Sequence, residues 1–118
     1  MIGRLYNVVI DCPDPAELAE FYAELLGQPI TRREDDWVTV GGDGSPGVAF
    51  QLAPDLQPPQ WPNPARPQQF HLDFEVDDIE TAEHQVLALG AKRLPGEGDD
   101  FRVYADPAGH PFCLVFKP

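Results

Sequence analysis

The chain has 118 residues and carries 8 Lys and Arg against 20 Asp and Glu, which gives a formal net charge of −12. This length allows one domain of ordinary size, and the acidity argues against nucleic acid or a membrane surface as a partner, since both bind clustered cations. The hydrophobic residues, 42% of the chain, occur in short runs without a transmembrane stretch or a signal-peptide pattern, so we expect a cytoplasmic protein.

The first half, residues 3–53, predicts the order β-α-β-β-β. Residues 5–11 alternate in polarity as a half-buried strand does. Asp14 is the expected N-cap of a helix with Pro15 at its first position, and Gly27 is the expected C-cap. Three short strands are expected after the helix, at residues 28–33, 37–40 and 48–52.

The second half, residues 68–118, repeats the first after a connector with six prolines at residues 54–67. It predicts a strand at residues 69–76, a helix from N-cap Asp77 to Gly90, and three more strands. The N-caps Asp14 and Asp77 are 63 positions apart. Because one such repeat is too small to bury its own sheet face, we expect a single α+β domain over residues 1–118. In it, two βαβββ repeats pair about a pseudo-twofold, and their curved mixed sheet forms a cleft with the helices on the outer face.

One face of the expected sheet carries a small set of polar side chains. The apolar residues of strand 69–76 must face the helix, so His71 and Asp73 point to the opposite face. The same alternation selects three residues in other strands: Asn7, Gln51 and Cys113. Asn7 and His71 are 64 positions apart, and Gln51 and Cys113 are 62 apart. A pseudo-twofold would therefore bring these four residues together near its axis.

Several short motifs follow one another along the repeat: Asp14-Pro15, Phe21-Tyr22, Leu25-Leu26-Gly27, Phe70-His71-Leu72-Asp73 and Asp106-Pro107-Ala108-Gly109. Together with the repeat itself, they resemble the vicinal oxygen chelate (VOC) superfamily. The resemblance is greatest to its glyoxalase-like and bleomycin-resistance-like domains, and it covers nearly the whole chain. It implies the paired-repeat fold and a small-molecule site between the repeats.

In metal-dependent members, the resemblance implies, the first and last strands of each half supply one ligand each, usually His, Gln or Glu. The matching residues here are Asn7, Gln51, His71 and Cys113. We name His71 and Gln51 as candidate ligands of a divalent metal (Zn, Ni, Mn or Mg), with Asp73 as a substitute. A Cys113 thiolate would favour zinc over an oxygen-activating iron. The two cysteines are too few for a disulfide scaffold, so both are expected to be thiols.

The aromatic residues Trp37, Trp61, Phe101 and Tyr104 are candidates for the walls of the cleft. Tyr104 is favoured because it shares a strand face with Arg102, which could bind an anionic substrate or pair with a carboxylate. The excess of carboxylates would itself attract a cationic ligand. The candidate ligand-binding residues are therefore His71, Asn7, Gln51, Cys113, Asp73, Tyr104 and Arg102.

Three hypotheses for function follow from these residues and the resemblance. In the first, the protein binds a small molecule in the cleft without turnover, as a sequestration or resistance protein does. In the second, it is a metal-dependent lyase, isomerase or hydrolase acting on a substrate with vicinal oxygens. In the third, it is a non-catalytic assembly or regulatory module. The resemblance and the length of the connector also suggest a homodimer. No residue is assigned a catalytic role.

Overall fold

The computed structural model of the protein describes residues 1, 3–68 and 70–118. The chain divides into two compact units, Met1–Leu56 and Gln57–Pro118, and this boundary lies within the proline-rich connector. Each unit contains one helix and one four-stranded mixed sheet. The α+β class and the βαβββ order of both halves are thereby confirmed. No helix in the described part of the chain is long and apolar enough to span a membrane.

The first unit contains β1, α1, β2, β3 and β4, with its strands in the order β1-β4-β3-β2. Their bounds are Asn7–Cys12, Pro15–Leu26, Ile30–Glu34, Trp37–Val40 and Gly47–Leu52. β1 and β4 are parallel, and the other neighbours are antiparallel. The first strand thus begins two residues later than the expected strand 5–11, because the pairing of β1 with β4 starts at Asn7.

Helix α1 begins and ends as its sequence predicts. Asp14 accepts a hydrogen bond from the Glu17 amide at 3.2 Å, which satisfies one of the amides at the start of the helix. Gly27 ends the helix with φ at 63°, a left-handed conformation that favours glycine. The buried face of α1 packs on the sheet, where the Tyr22 ring stacks on Phe50 at 5.2 Å between centroids.

The second unit contains β5, α2, β6, β7 and β8, with its strands in the order β5-β8-β7-β6. Their bounds are Leu72–Glu75, Ile79–Ala88, Lys92–Gly98, Phe101–Ala105 and Pro111–Val115. β5 and β8 are parallel, as β1 and β4 are. β5 is shorter than the expected strand 69–76, and Gln69 lies outside the described residues. Both Cys12 and Cys113 are thiols, as expected.

The N-cap of α2 is Asp78, so the expectation of Asp77 is wrong by one residue. Asp78 accepts hydrogen bonds from the Glu80 amide at 3.1 Å and the Thr81 hydroxyl at 2.9 Å. These hydrogen bonds hold the pKa of the Asp78 carboxyl below its ordinary value. Asp77 and Asp78 are equally suitable N-cap residues by type. The backbone conformation at the start of the helix decides which of them is the N-cap, and it selects Asp78. The caps Asp14 and Asp78 are then 64 positions apart.

The strand registers relate the two halves by the same spacing of 64 positions. The equivalent parallel pairs are Val8 with Val48 and Leu72 with Phe112. Gln51 therefore corresponds to Val115, and Cys113 corresponds to Ala49. The expected equivalence of Gln51 and Cys113 is wrong, because it matched polar residues rather than positions in the ladder.

Candidate functional site

The second unit holds a cavity of about 570 Å³ beside its sheet. Alternate residues along three neighbouring strands, with His71 directly before β5, form its floor: His71, Asp73, Phe101, Val103, Cys113 and Val115. Successive side chains of a strand point to opposite faces, so this is the face turned away from α2. The alternation of the expected strand 69–76 predicted this orientation of His71 and Asp73.

One wall of the cavity is Trp61, which belongs to the proline-rich connector. Its indole N–H donates a hydrogen bond to the Pro95 carbonyl at 2.6 Å. Pro95 lies where the pairing of β6 with β7 is interrupted, between Arg93 and Glu97. A bulge of this kind removes residues from the ladder, so the carbonyl is available to hold the indole. The connector thus supplies a fixed aromatic side to the cavity.

His71, Asp73 and Cys113 form a cluster on the cavity floor. His71 Nε2 lies 3.3 Å from Asp73 Oδ1, and donor atoms of all three residues lie within 4.8 Å of one another. The Cys113 side chain is buried, whereas His71 and Asp73 are open to solvent. Burial, together with the charge and hydrogen bond of Asp73, raises the pKa of Cys113 to about 11. Cys113 is therefore a protonated thiol at neutral pH rather than a nucleophilic thiolate.

The cluster has the donor types of a zinc site. An imidazole, a carboxylate and a thiol are three of the groups that bind Zn²⁺, and a catalytic zinc site keeps a fourth position open. A thiolate ligand favours zinc over the harder Mg²⁺ or Mn²⁺. His71, Asp73 and Cys113 therefore fit the divalent metal that the fold family implies, and all three belong to the second unit.

Asn7 and Gln51 lie in the first unit. Asn7 lines a separate recess of about 320 Å³, together with Arg32 and Thr39. Gln51 is exposed on β4. In the ladder Asn7 pairs with Gly47, so Gln51 lies four residues further along the strand, or about 13 Å at the usual rise. Within their own sheet these two side chains are not neighbours.

Tyr104 and Arg102 lie on the face of β7 that α2 covers, and they do not line the cavity. The Tyr104 hydroxyl donates a hydrogen bond to the Glu83 carboxylate at 2.8 Å. Arg102 forms ion pairs with Glu80 at 2.7 Å and with Glu83 at 3.3 Å. Burial raises the pKa of the Tyr104 phenol, and Glu83 raises it further. Both residues hold the helix on the sheet, so Arg102 pairs with carboxylates, the second of its two expected roles.

The alternation of β7 and β8 also identifies cavity residues that the sequence interpretation passed over. Val103 and Val115 line the floor beside Phe101 and Cys113. Because every second residue of a strand faces the same side of the sheet, Val103 must share a face with Phe101, and Val115 must share a face with Cys113. Residue type favoured polar and aromatic side chains on that face, so of these apolar floor residues only Phe101 was a candidate.

The fold and the cavity define a small α+β protein built from two βαβββ units. The chain matches the model of the Glyoxalase-like domain over residues 7–115. It therefore belongs to the glyoxalase-like domain family, within the VOC superfamily, and the expected resemblance is confirmed.

Solved structures of this superfamily share the fold over nearly the whole chain. A glyoxalase/bleomycin resistance protein/dioxygenase family enzyme from Burkholderia phytofirmans PsJN has a TM-score of 0.75 at 20% identity, over 97% of this chain and 98% of its own. The fosfomycin resistance protein FosX from Mesorhizobium loti has a TM-score of 0.72 at 16% identity, over 98% of this chain and 92% of its own. A glyoxalase family protein from Enterococcus faecalis has a TM-score of 0.70 at 22% identity, over 97% of this chain and 98% of its own. No curated protein matches the sequence.

Proposed function

We propose that the protein binds a small organic molecule, without turnover, in the cavity of its second unit. The observation that carries this proposal is the cavity itself: its volume of about 570 Å³ lies within the usual range for small-molecule sites. Trp61 gives it an apolar wall, Phe101 and Val103 give it an apolar floor, and His71 and Asp73 add polar groups to that floor. This combination of apolar area with a few polar groups is typical of ligand sites. The protonated Cys113 beside them offers no ready nucleophile.

Filling the cavity should abolish this binding. We expect Val115→Trp, which adds a ring to the floor, to lower the affinity for every cavity ligand by at least about tenfold. A loss of about 1.4 kcal/mol of binding free energy is enough for that change. Ligands would come from a fragment screen followed by backbone amide chemical shifts. The matched control is Leu87→Trp, which adds the same ring to the exposed surface of α2. Equal affinity in the two variants, or shifts confined to residues outside the cavity, would contradict the proposal.

The His71, Asp73 and Cys113 cluster favours a second candidate, a metal-dependent lyase, isomerase or hydrolase. A divalent ion held there would act as a Lewis acid on the oxygens of a bound substrate. Asp73, in contact with His71 Nε2, would fix the orientation of the ring. Cys113 would give up its proton to become a ligand. The apolar walls would hold the substrate and exclude water.

Metal content measures this second candidate directly. If it holds, protein purified from zinc-supplemented medium will contain about one equivalent of zinc, and His71→Ala will lose most of it, because a site with only three protein ligands cannot spare its imidazole. His84→Ala, which changes an exposed histidine on α2, is the matched control. Gln51→Ala tests the other expected ligand. Equal zinc in the wild type and in His71→Ala would exclude the cluster as the site.

A further inference from the structure

The charged side chains around the cavity are nearly all acidic. Asp73, Glu97 and Asp100 line it, and no lysine or arginine is among its lining residues in the described ranges. Glu97 is partly neutralised by Arg93, whose Nη2 lies 3.1 Å from its carboxylate. Asp73 has only the His71 ring as an ion-pair neighbour in the structure as described. The cavity thus has a negative potential that the apolar walls screen poorly.

Two aromatic residues line the same space. Trp61 is held by its hydrogen bond to Pro95, and Phe101 lies at the start of β7. The faces of aromatic rings carry partial negative charge and attract cations, most strongly when the ring is an indole. An aromatic wall also provides a flat apolar surface for stacking. Aromatic and acidic groups therefore favour the same kind of ligand.

We infer that the ligand of this cavity is an organic cation with a flat apolar body, such as a protonated or quaternary amine carried by a ring system. This inference rests on the proposed function and names its ligand class. The ring system stacks between the aromatic wall and the apolar floor, and the positive charge faces Asp73 and Asp100. An anion would meet carboxylates without a compensating cation. A neutral molecule of the same shape would gain the apolar contacts alone.

Three probes of similar shape separate charge from shape: the cation 1-methylquinolinium, its neutral isostere 1-methylnaphthalene, and the anion 1-naphthalenesulfonate. Binding would be followed in the Trp37→Phe background, where Trp61 is the remaining tryptophan of two and reports on the cavity by its fluorescence. A chelator would be present so that no metal occupies the carboxylate. We expect the cation to bind at least about tenfold more tightly than its isostere, and the anion to bind most weakly.

Substitutions that remove a negative charge test which carboxylates produce the preference for the cation. Asp73→Asn and Asp100→Asn should each lower the affinity for the cation by about three- to tenfold and change the affinity for the isostere by less than about twofold. Glu24→Gln removes the same charge from the exposed surface of α1 and is the control for the general acidity of the chain. An equal loss in Glu24→Gln would overturn the inference.

The outcomes also separate this inference from the proposed function. If the isostere or the anion binds as tightly as the cation, the cavity binds small molecules but does not select for positive charge, and only the inference fails. If none of the three binds, the cavity is not a site for ring-sized molecules, and the proposed function fails with it. Tighter binding of the cation that depends on Asp73 and Asp100 supports both.

Discussion

Replacing Phe112 by alanine will lower the free energy of unfolding by about 3–5 kcal/mol, the usual cost of removing a large aromatic side chain from a core. Phe112 is 0% exposed. Its ring stacks on Tyr104 at 5.6 Å and meets Phe74 edge-on at 5.9 Å. These three rings come from three neighbouring strands, so the sheet cannot close over the space that alanine would leave. Since domains have only about 5–15 kcal/mol of stability in total, the loss is large.

Urea unfolding followed by circular dichroism measures this effect. Phe70→Ala is the control, because Phe70 is 46% exposed, and we expect it to cost less than about 1 kcal/mol. Phe112→Leu should recover part of the loss by filling some of the space. A loss in Phe112→Ala no larger than in Phe70→Ala would show that the three rings do not form the core of the second unit.

Loss of the Phe112 ring should also disturb the cavity floor on the other face of β8. Phe112 and Leu114 face the core from β8, whereas Cys113 between them faces the cavity. A strand that loses its anchor on one face no longer holds the groups on the other face in place. We therefore attribute the geometry of the floor to the rings beneath it.

Local patterns in the sequence were sufficient for the order of the elements and for the polar residues on the floor of the cavity. The Asp14 cap and Gly27 mark α1 because each satisfies a requirement of the helix backbone itself. His71, Asp73 and Cys113 share a face because strands alternate with a period of two, whatever packs on them. Rules of this kind depend only on neighbours in the chain, so one sequence contains them.

The remaining features depend on contacts between distant residues. Tyr104 and Arg102 have the chemistry of ligand-binding groups, but the position of Glu83 on α2 decides that they pair with the helix. Trp61 enters the cavity because an interruption in β6 leaves the Pro95 carbonyl available. Neither contact has a signature in local spacing, and Tyr104 was favoured among the aromatic residues because it shares a strand face with Arg102.

Replacing Glu83 by alanine will destabilise the protein by about 2–4 kcal/mol, because a half-buried carboxylate with three donors would be lost. The Glu83 carboxylate accepts from Arg93 at 2.6 Å and Tyr104 at 2.8 Å, and it pairs with Arg102 at 3.3 Å. Without it, the buried Tyr104 hydroxyl loses the carboxylate to which it donates, and Arg93 and Arg102 each keep only one carboxylate partner among the described residues, namely Glu97 and Glu80. The matched control is Glu24→Ala on the exposed face of α1, and urea unfolding measures both.

The same carboxylate gives this stabilisation a defined dependence on pH. Burial alone would raise the pKa of Glu83, but the Tyr104 hydrogen bond and the charges of Arg93 and Arg102 together lower it below its ordinary value of 4.5. A folded-state pKa below the unfolded one means that protonation favours unfolding. The contribution of Glu83 is therefore complete above the ordinary pKa and is lost as the pH falls through the folded-state value. The difference in stability between the wild type and Glu83→Gln should accordingly be constant near neutral pH and shrink in acid. A difference that grew in acid would show that Tyr104, Arg93 and Arg102 do not stabilise the ionised Glu83 carboxylate.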